Sequence, residues 1–210
     1  MDKYQINNVE TVLRDLHNDA KKDYMRIGKG VVKSIFRPMQ PADFENAYLP
    51  ISKEQGVAIR ELIVQNDYKN VVEFGTSFGI STIYLADAIR QTGGKVITTE
   101  LLESKALRAI QNISKASLSD FVEVRIGDAM NTLKGFTEPI DFLFLDGWKD
   151  LYLPLFQLLE PQFHAGTMIY ADNMDMAGTQ YYGDYVMGQK QHYSSKMVYG
   201  GKAMLTACAA

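Results

Sequence analysis

Two segments of this chain end in clustered oxygen donors. The stretch FLFLDGWKDLY at 142–152 carries Asp146, with Trp148 and Lys149 just beyond it, and MIYADN at 168–173 ends in Asp172 and Asn173. Each follows an apolar run of strand length. If the two runs lie side by side, about 4.8 Å apart, the three donors converge at one rim of a sheet. Two carboxylates and one neutral amide oxygen suit a hard divalent cation, Mg2+ being the natural candidate, that keeps further positions for water and substrate. The ordinary alternative is an Asx turn at Asp172 and Asn173 and a helix cap at Asp146. Three donors at the carboxyl ends of consecutive strands, beside a lysine, are much less common.

A second constellation lies in VVEFGTSFGIS, residues 71–81, where Glu73, Gly75 and Gly79 fall on the turn between a buried strand and a helix. Glycines there let the backbone approach a ligand closely and leave helix N-terminal amides free for an anionic group. Glu100 closes the next strand, KVITTE; in a doubly wound sheet that position faces the same crevice and can accept both hydroxyls of a ribose. Asp128 ends the third strand, in VEVRIGDAM, where its carboxylate or the following amide could read an adenine edge. Any one glycine is accounted for by an ordinary βα turn. Three acids ending three successive strands raise the odds of a site. The spacing E-x-G-x-x-x-G also lacks the third glycine of G-x-G-x-x-G, which argues against a nicotinamide dinucleotide.

These residues need a frame. From residue 70 short apolar runs alternate with amphipathic stretches of helical length, the βαβ rhythm. The pattern predicts strands at 70–75, 95–100, 121–126, 140–146 and 166–172, apolar almost throughout, as parallel strands buried on both faces are. Helices are predicted at 80–91, 103–117, 129–135, 150–160 and 179–189. Two last strand-like runs, 192–199 and 202–208, are separated only by Gly200 and Gly201, a two-residue loop that signals an antiparallel hairpin. The fold class is α/β: a Rossmann-like, doubly wound, mostly parallel seven-stranded sheet with a C-terminal antiparallel hairpin.

Ahead of it, residues 5–25 place Ile6, Val9, Val12, Leu13 and Leu16 at helical spacing. That amphipathic helix has no second layer of its own, so it is expected to pack across a homodimer interface or over the mouth of the site. Gly28 to Pro50 reads as an irregular connection. Ser52 and Gln55 form the capping box of a helix over 52–66. The division expected is an N-terminal helical appendage and connection, 1–50, and a main domain, 51–210.

The charge balance, 22 Lys plus Arg against 25 Asp plus Glu, gives a net charge of -3, which draws neither nucleic acid nor an anionic membrane as partner. The opening MDKYQINNVETVLRDLH carries acids and amides where a signal peptide has its apolar core, and no charge-free apolar run approaches the ~18 residues of a spanning helix. The single Cys208 allows neither an internal disulfide nor a multi-thiolate zinc site. A cytoplasmic protein is expected. His17, His164 and His192 fall in no ligand spacing, and Lys21, Lys22, Arg26, Lys29 and Lys33 read as a solvated basic face. Tyrosines 181, 182, 185, 193 and 199 could wall an aromatic acceptor pocket, but core packing explains most of them.

The glycine turn, the acid closing the second strand and the terminal hairpin resemble the class I S-adenosylmethionine-dependent methyltransferases. The pair FLDGWKD and YADN, 26 residues apart from Asp146 to Asp172, resembles the metal site of the catechol and caffeoyl-CoA O-methyltransferases. The resemblance covers residues 49–210. It implies that Asp146, Asp172 and Asn173 bind Mg2+ or another divalent cation, and that Lys149 acts beside Asp146 as general base. Trp148 would pack on the adenine. Glu73, Gly75 and Ser81 would hold the methionine portion, with Thr76, Ser77 and Gly79 in the same turn. Glu100 and Leu101 would take the ribose, Asp128 and Ala129 would stand on the adenine side, and Ile51 would lie in the segment covering the cofactor carboxylate. Gly147 departs from the catechol enzyme, which has a histidine there. The implied activity is methyl transfer from S-adenosylmethionine to a hydroxyl of a small catechol-like or hydroxylated aromatic acceptor, by a homodimer. The competing readings are a nicotinamide-dependent oxidoreductase on the same topology and a non-catalytic S-adenosylmethionine-binding protein.

Overall fold

Val71, Val72, Ile97, Phe142, Leu143, Phe144 and Leu145 offer no polar side chain to water on either face of their strands, so those strands can only run through the middle of a sheet covered on both sides. The computed structural model describes residues 3–33 and 37–209; the side chains of residues 3–7, Lys29 and Lys33 fall outside it, and with them the expected contributions of Ile6, Lys29 and Lys33. Five strands, β1 (Asn70–Phe74), β2 (Lys95–Glu100), β3 (Val122–Ile126), β4 (Ile140–Leu145) and β5 (Phe163–Ala171), pair in parallel. Two more, β6 (Tyr193–Val198) and β7 (Ala203–Cys208), form an antiparallel hairpin whose second strand pairs with β5. The spatial order is β3-β2-β1-β4-β5-β7-β6. Succession reverses between β1 and β4, and at such a switch point a crevice opens outside the carboxyl ends of the strands.

Alternate strand residues feed two cores. Val71, Phe142, Phe144 and Tyr170 face one layer, built from α1 (Lys3–Ala20), α3 (Lys53–Gln65), α4 (Ile80–Thr92) and α5 (Glu103–Lys115). Val72, Phe74, Leu143 and Leu145 face the other, built from α6 (Ala129–Thr132), α7 (Tyr152–Leu159) and α8 (Gln180–Gly188). The period of two along each strand thus decides which layer a residue packs against.

The structure corrects several expectations. The helix read over 5–25 is two helices: α1 ends at Ala20, a turn at Lys21 and Lys22 follows, and α2 (Asp23–Lys33) takes up the start of the stretch expected to be irregular. The break carries Asp23 inward, where Oδ2 accepts hydrogen bonds from the backbone N–H groups of Tyr48 and Leu49, both at 2.8 Å. The apolar stripe of α1 does have a layer in its own chain, since Val9, Leu13, Leu16 and Ala20 are buried against α4 and α5. The hairpin loop is longer than two residues: Val198 pairs with Ala203, and Tyr199, Gly200 and Gly201 turn the chain with φ of 51, 66 and 90°. Strand β5 starts earlier than expected, at Phe163, and the helix read over 129–135 is a single turn. Of the basic segment, Lys22 pairs with Asp19 at 3.4 Å, and Arg26 pairs with Asp19 and Asp23 at 2.7 and 3.0 Å. Among the described residues no helix is long and apolar enough to cross a membrane.

Candidate functional site

Register puts the expected reacting residues together. Phe74 lies opposite Leu145, and Leu145 opposite Ala171, so the residues that follow, Gly75, Asp146 and Asp172, share one rim. Asp146 N–H donates to the Phe74 carbonyl and Asp172 N–H to the Leu145 carbonyl, each at 2.9 Å, which extends the ladder by one residue and orients both acids. The turns after β1 and β4 interlock. Gly75 has φ 106°, and a Cβ there would stand 2.6 Å from the Asp146 carbonyl oxygen, while one on Gly147 would stand 2.5 Å from the Phe74 ring. The glycine at 147 therefore has a packing reason.

Lys149 Nζ donates to Asp146 Oδ1 at 3.1 Å and to the Tyr152 hydroxyl at 2.9 Å; that hydroxyl donates to the Asp172 carbonyl at 3.1 Å. Gln55 reaches in from α3, its amide donating to Asp172 Oδ1 at 2.9 Å and to the Tyr170 hydroxyl at 3.0 Å. Burial pushes the Asp146 carboxyl up to about 7, with Lys149 opposing and the Asp172 charge adding to the rise. Burial likewise raises Asp172. Tyr152 is driven well above its ordinary range, chiefly by burial, so it keeps its proton.

Two buried acids that repel one another, served by one lysine, fit a divalent cation, whose charge would reverse both shifts. Asn173, at φ 55°, follows directly at the strand end, where its amide oxygen would be the neutral donor of such a site. Among the described residues no three His, Cys, Asp or Glu side chains form a ready-made metal cluster; the donors expected from the sequence are two carboxylates and an amide, a hard set that would leave positions for water.

At the cofactor end, Glu73 is fully buried. Its Oε2 accepts from the hydroxyls of Thr82 and Thr98 at 2.5 and 2.6 Å, while Oε1 has no hydrogen-bond partner. Burial raises its carboxyl against the hydroxyls of Ser81, Thr82 and Thr98. An orphaned buried oxygen here fits a cationic donor from a ligand, such as an amino group. Glu100 takes the N–H groups of Ser77 at 2.8 Å and Leu102 at 2.9 Å. Ser77, at φ 48°, passes its hydroxyl to the Tyr48 carbonyl at 2.8 Å, tying the turn to the covering segment that buries Ile51.

Thr76 is buried on Thr98, Gly79 opens α4 in the left-handed region, and Ser81 is buried in the first turn of α4. Asp128 Oδ1 accepts from Met130 N–H at 2.9 Å and so caps α6, whose first residue, Ala129, is buried. Trp148 packs partly buried on the second core, and Leu101 is exposed. The histidines lie apart: His17 meets the Tyr84 hydroxyl at 3.4 Å and His164 meets Asp141 at 2.9 Å. Tyr182 and Tyr193 are core residues, whereas Tyr181 is exposed. Sequence reasoning missed Tyr152, Tyr170 and the inward reach of Gln55. Tyr152 stands three residues after Lys149, a spacing that could have drawn notice, but nothing local links Gln55 to a partner 117 residues away.

Known proteins fit this geometry. The family described as a methyltransferase domain matches residues 72–174. A catechol O-methyltransferase of Niastella koreensis is 35% identical over 130 residues, 60% of this chain and 58% of that protein. The mouse catechol O-methyltransferase is 33% identical over 140 residues, 61% of this chain and 52% of that one. The chain thus spans less than two thirds of these relatives' length. Among solved structures, an O-methyltransferase from Bacillus cereus in complex with S-adenosylhomocysteine superposes with a TM-score of 0.69 at 26% identity, covering 87% of this chain and 96% of that one.

Proposed function

We propose that this chain is a class I S-adenosylmethionine-dependent O-methyltransferase akin to the catechol enzymes, and that it methylates a hydroxyl of a small catechol-like or hydroxylated aromatic acceptor with the help of a divalent cation. The observation that carries the reading is the rim where Asp146 and Asp172 stand on neighbouring strand ends, Asp146 bonded to Lys149, with the orphaned Glu73 oxygen on the adjoining strand.

A phenol with a pKa of about 10 is a weak nucleophile at neutral pH. Asp146, Asp172 and Asn173 would hold the cation, which would supply Lewis-acid stabilisation of an ionised hydroxyl. Lys149, fixed between Asp146 and Tyr152, must enter this step as the neutral amine; its lone pair then takes the phenolic proton, and the resulting ammonium passes it to water. The oxygen forms a bond to the methyl carbon as the carbon–sulfur bond breaks, its electron pair staying on sulfur. Glu73 and the Gly75 turn hold the methionine portion and Glu100 the ribose, so that donor and acceptor meet in a fixed geometry; such positioning reaches effective molarities of roughly 10^5 M. Homodimerisation belongs to the same proposal, with the exposed Tyr24 and Val32 of α2 at the surface.

The experiment is methyl transfer from labelled S-adenosylmethionine to a catechol panel, with and without EDTA. Transfer abolished by EDTA and restored by Mg2+ supports the reading. Cofactor binding without transfer to any phenol would favour the non-catalytic binder, and tight NADH binding would favour the oxidoreductase.

A further inference from the structure

Lys105, the third residue of α5, is only 5% exposed, and nothing in the chemistry above uses it. Its Nζ lies 3.3 Å from Ser77 Oγ, a long contact to a hydroxyl already committed to the Tyr48 carbonyl, and 5.3 Å from the centre of the Phe78 ring. Among the described residues it makes no ion pair. Burial lowers its pKa, opposed by the charges of Glu100, Asp23, Asp146 and Glu45, which face it from four different segments. An ammonium has three N–H donors, and burying one on a single long hydrogen bond is unfavourable unless something else occupies the remainder.

The neighbourhood says what that is. Ser77 touches Lys105 through its hydroxyl and Glu100 through its N–H, so one residue links the lysine to the acid read here as the ribose ligand. A ribose hydroxyl seated on Glu100 gives its only proton to a carboxylate that can accept but never donate, and its lone pairs then require a donor. We propose that Lys105 is that donor, so that Glu100 and Lys105 grip one ribose hydroxyl of the cofactor from its two ends. The inference rests on the assignment of Glu100 to the ribose.

The test measures calorimetric binding of S-adenosylhomocysteine and of its 2′-deoxy and 3′-deoxy analogues to the wild type, Lys105→Met, Lys105→Gln and Glu100→Gln, with thermal unfolding of each ligand-free protein. Lys105→Met should weaken S-adenosylhomocysteine about ten- to a hundredfold, the range of a charge-assisted hydrogen bond. It should leave one deoxy analogue bound as by the wild type and keep the ligand-free melting temperature at or above the parent's. Lys105→Gln, which retains a donor, should recover part of the loss and serves if Lys105→Met does not fold. Affinity within twofold of wild type in both lysine variants, or equal weakening of all three ligands, overturns the proposal. Normal binding by Glu100→Gln overturns the ribose assignment beneath it, whereas loss in Glu100→Gln with normal binding by Lys105→Met removes the lysine alone.

Discussion

The side-chain amide of Gln55 holds Asp172 Oδ1 at 2.9 Å while its own Oε1 accepts the Ser52 N–H at the start of α3, also at 2.9 Å. One residue therefore closes a capping box and orients a carboxylate of the candidate metal site, and it joins the covering segment around Ile51 to the end of β5. Gln55→Leu should cost about 0.5–2 kcal/mol through the cap. It should also weaken Mn2+ binding, read by electron paramagnetic resonance, while S-adenosylhomocysteine binding changes little. Unchanged Mn2+ affinity would reduce Gln55 to a cap.

Asp172 and Glu100 should separate metal from cofactor. Asp172→Ala removes one of two anionic donors, so methyl transfer and Mg2+ binding should fall with cofactor affinity retained. Glu100→Ala should cost roughly 1.5–3 kcal/mol of S-adenosylmethionine affinity and leave the metal in place. EDTA-resistant transfer by Asp172→Ala at the parent rate would remove the metal from the mechanism.

Lys149 and Tyr152 should differ in degree. Lys149→Met is expected to lower kcat by roughly a hundredfold or more, the usual contribution of a general base, with little change in cofactor affinity. Tyr152→Phe removes one partner of that lysine and the donor to the Asp172 carbonyl, which should cost about 1–3 kcal/mol of stability and a smaller part of kcat. Equal kcat in Lys149→Met and wild type would assign the proton to another acceptor.

The Glu73 carboxyl gives a pH-dependent prediction. Burial raises its pKa above the ordinary 4.5. A carboxyl whose folded pKa exceeds its unfolded one contributes stability fully below the unfolded value, and that contribution is lost as pH rises through the folded pKa. Raising the pH from 4.5 to 8 therefore withdraws stability from the ligand-free protein. Glu73→Gln should raise its melting temperature more at pH 8 than at pH 4.5 and lose S-adenosylhomocysteine binding at both. Equal gains at the two pH values would refute the sign.

Gly147→Ala drives a Cβ to within 2.5 Å of the Phe74 ring. Overpacking of this kind costs typically about 1–3 kcal/mol. Chemical denaturation should show that loss, and an accompanying Phe74→Leu should recover part of it.

Much of the frame could be read from local pattern. Strand β2 runs over residues 95–100 as expected, and Ser52 and Gln55 form both bonds of the capping box. A strand's apolar run and a helix cap are properties of neighbours in sequence, so composition and spacing suffice to specify them. The gathering of Asp146, Asp172 and Asn173 at one rim was also legible, because strands that succeed one another in a βαβ rhythm usually lie side by side.

The sequence by itself determined which segments must be buried, where α3, α4 and α5 begin, and which acids end strands. Only the tertiary structure decided against what those segments pack: α1 on α4 and α5, Asp23 under Tyr48 and Leu49, Gln55 on Asp172, and Lys105 beside Ser77. The reason is physical. Apolar periodicity says that a face leaves water, but it is silent on the partner, because hydrophobic burial has no direction. The hydrogen bonds that choose the partner form between groups tens of residues apart, where no local spacing records them.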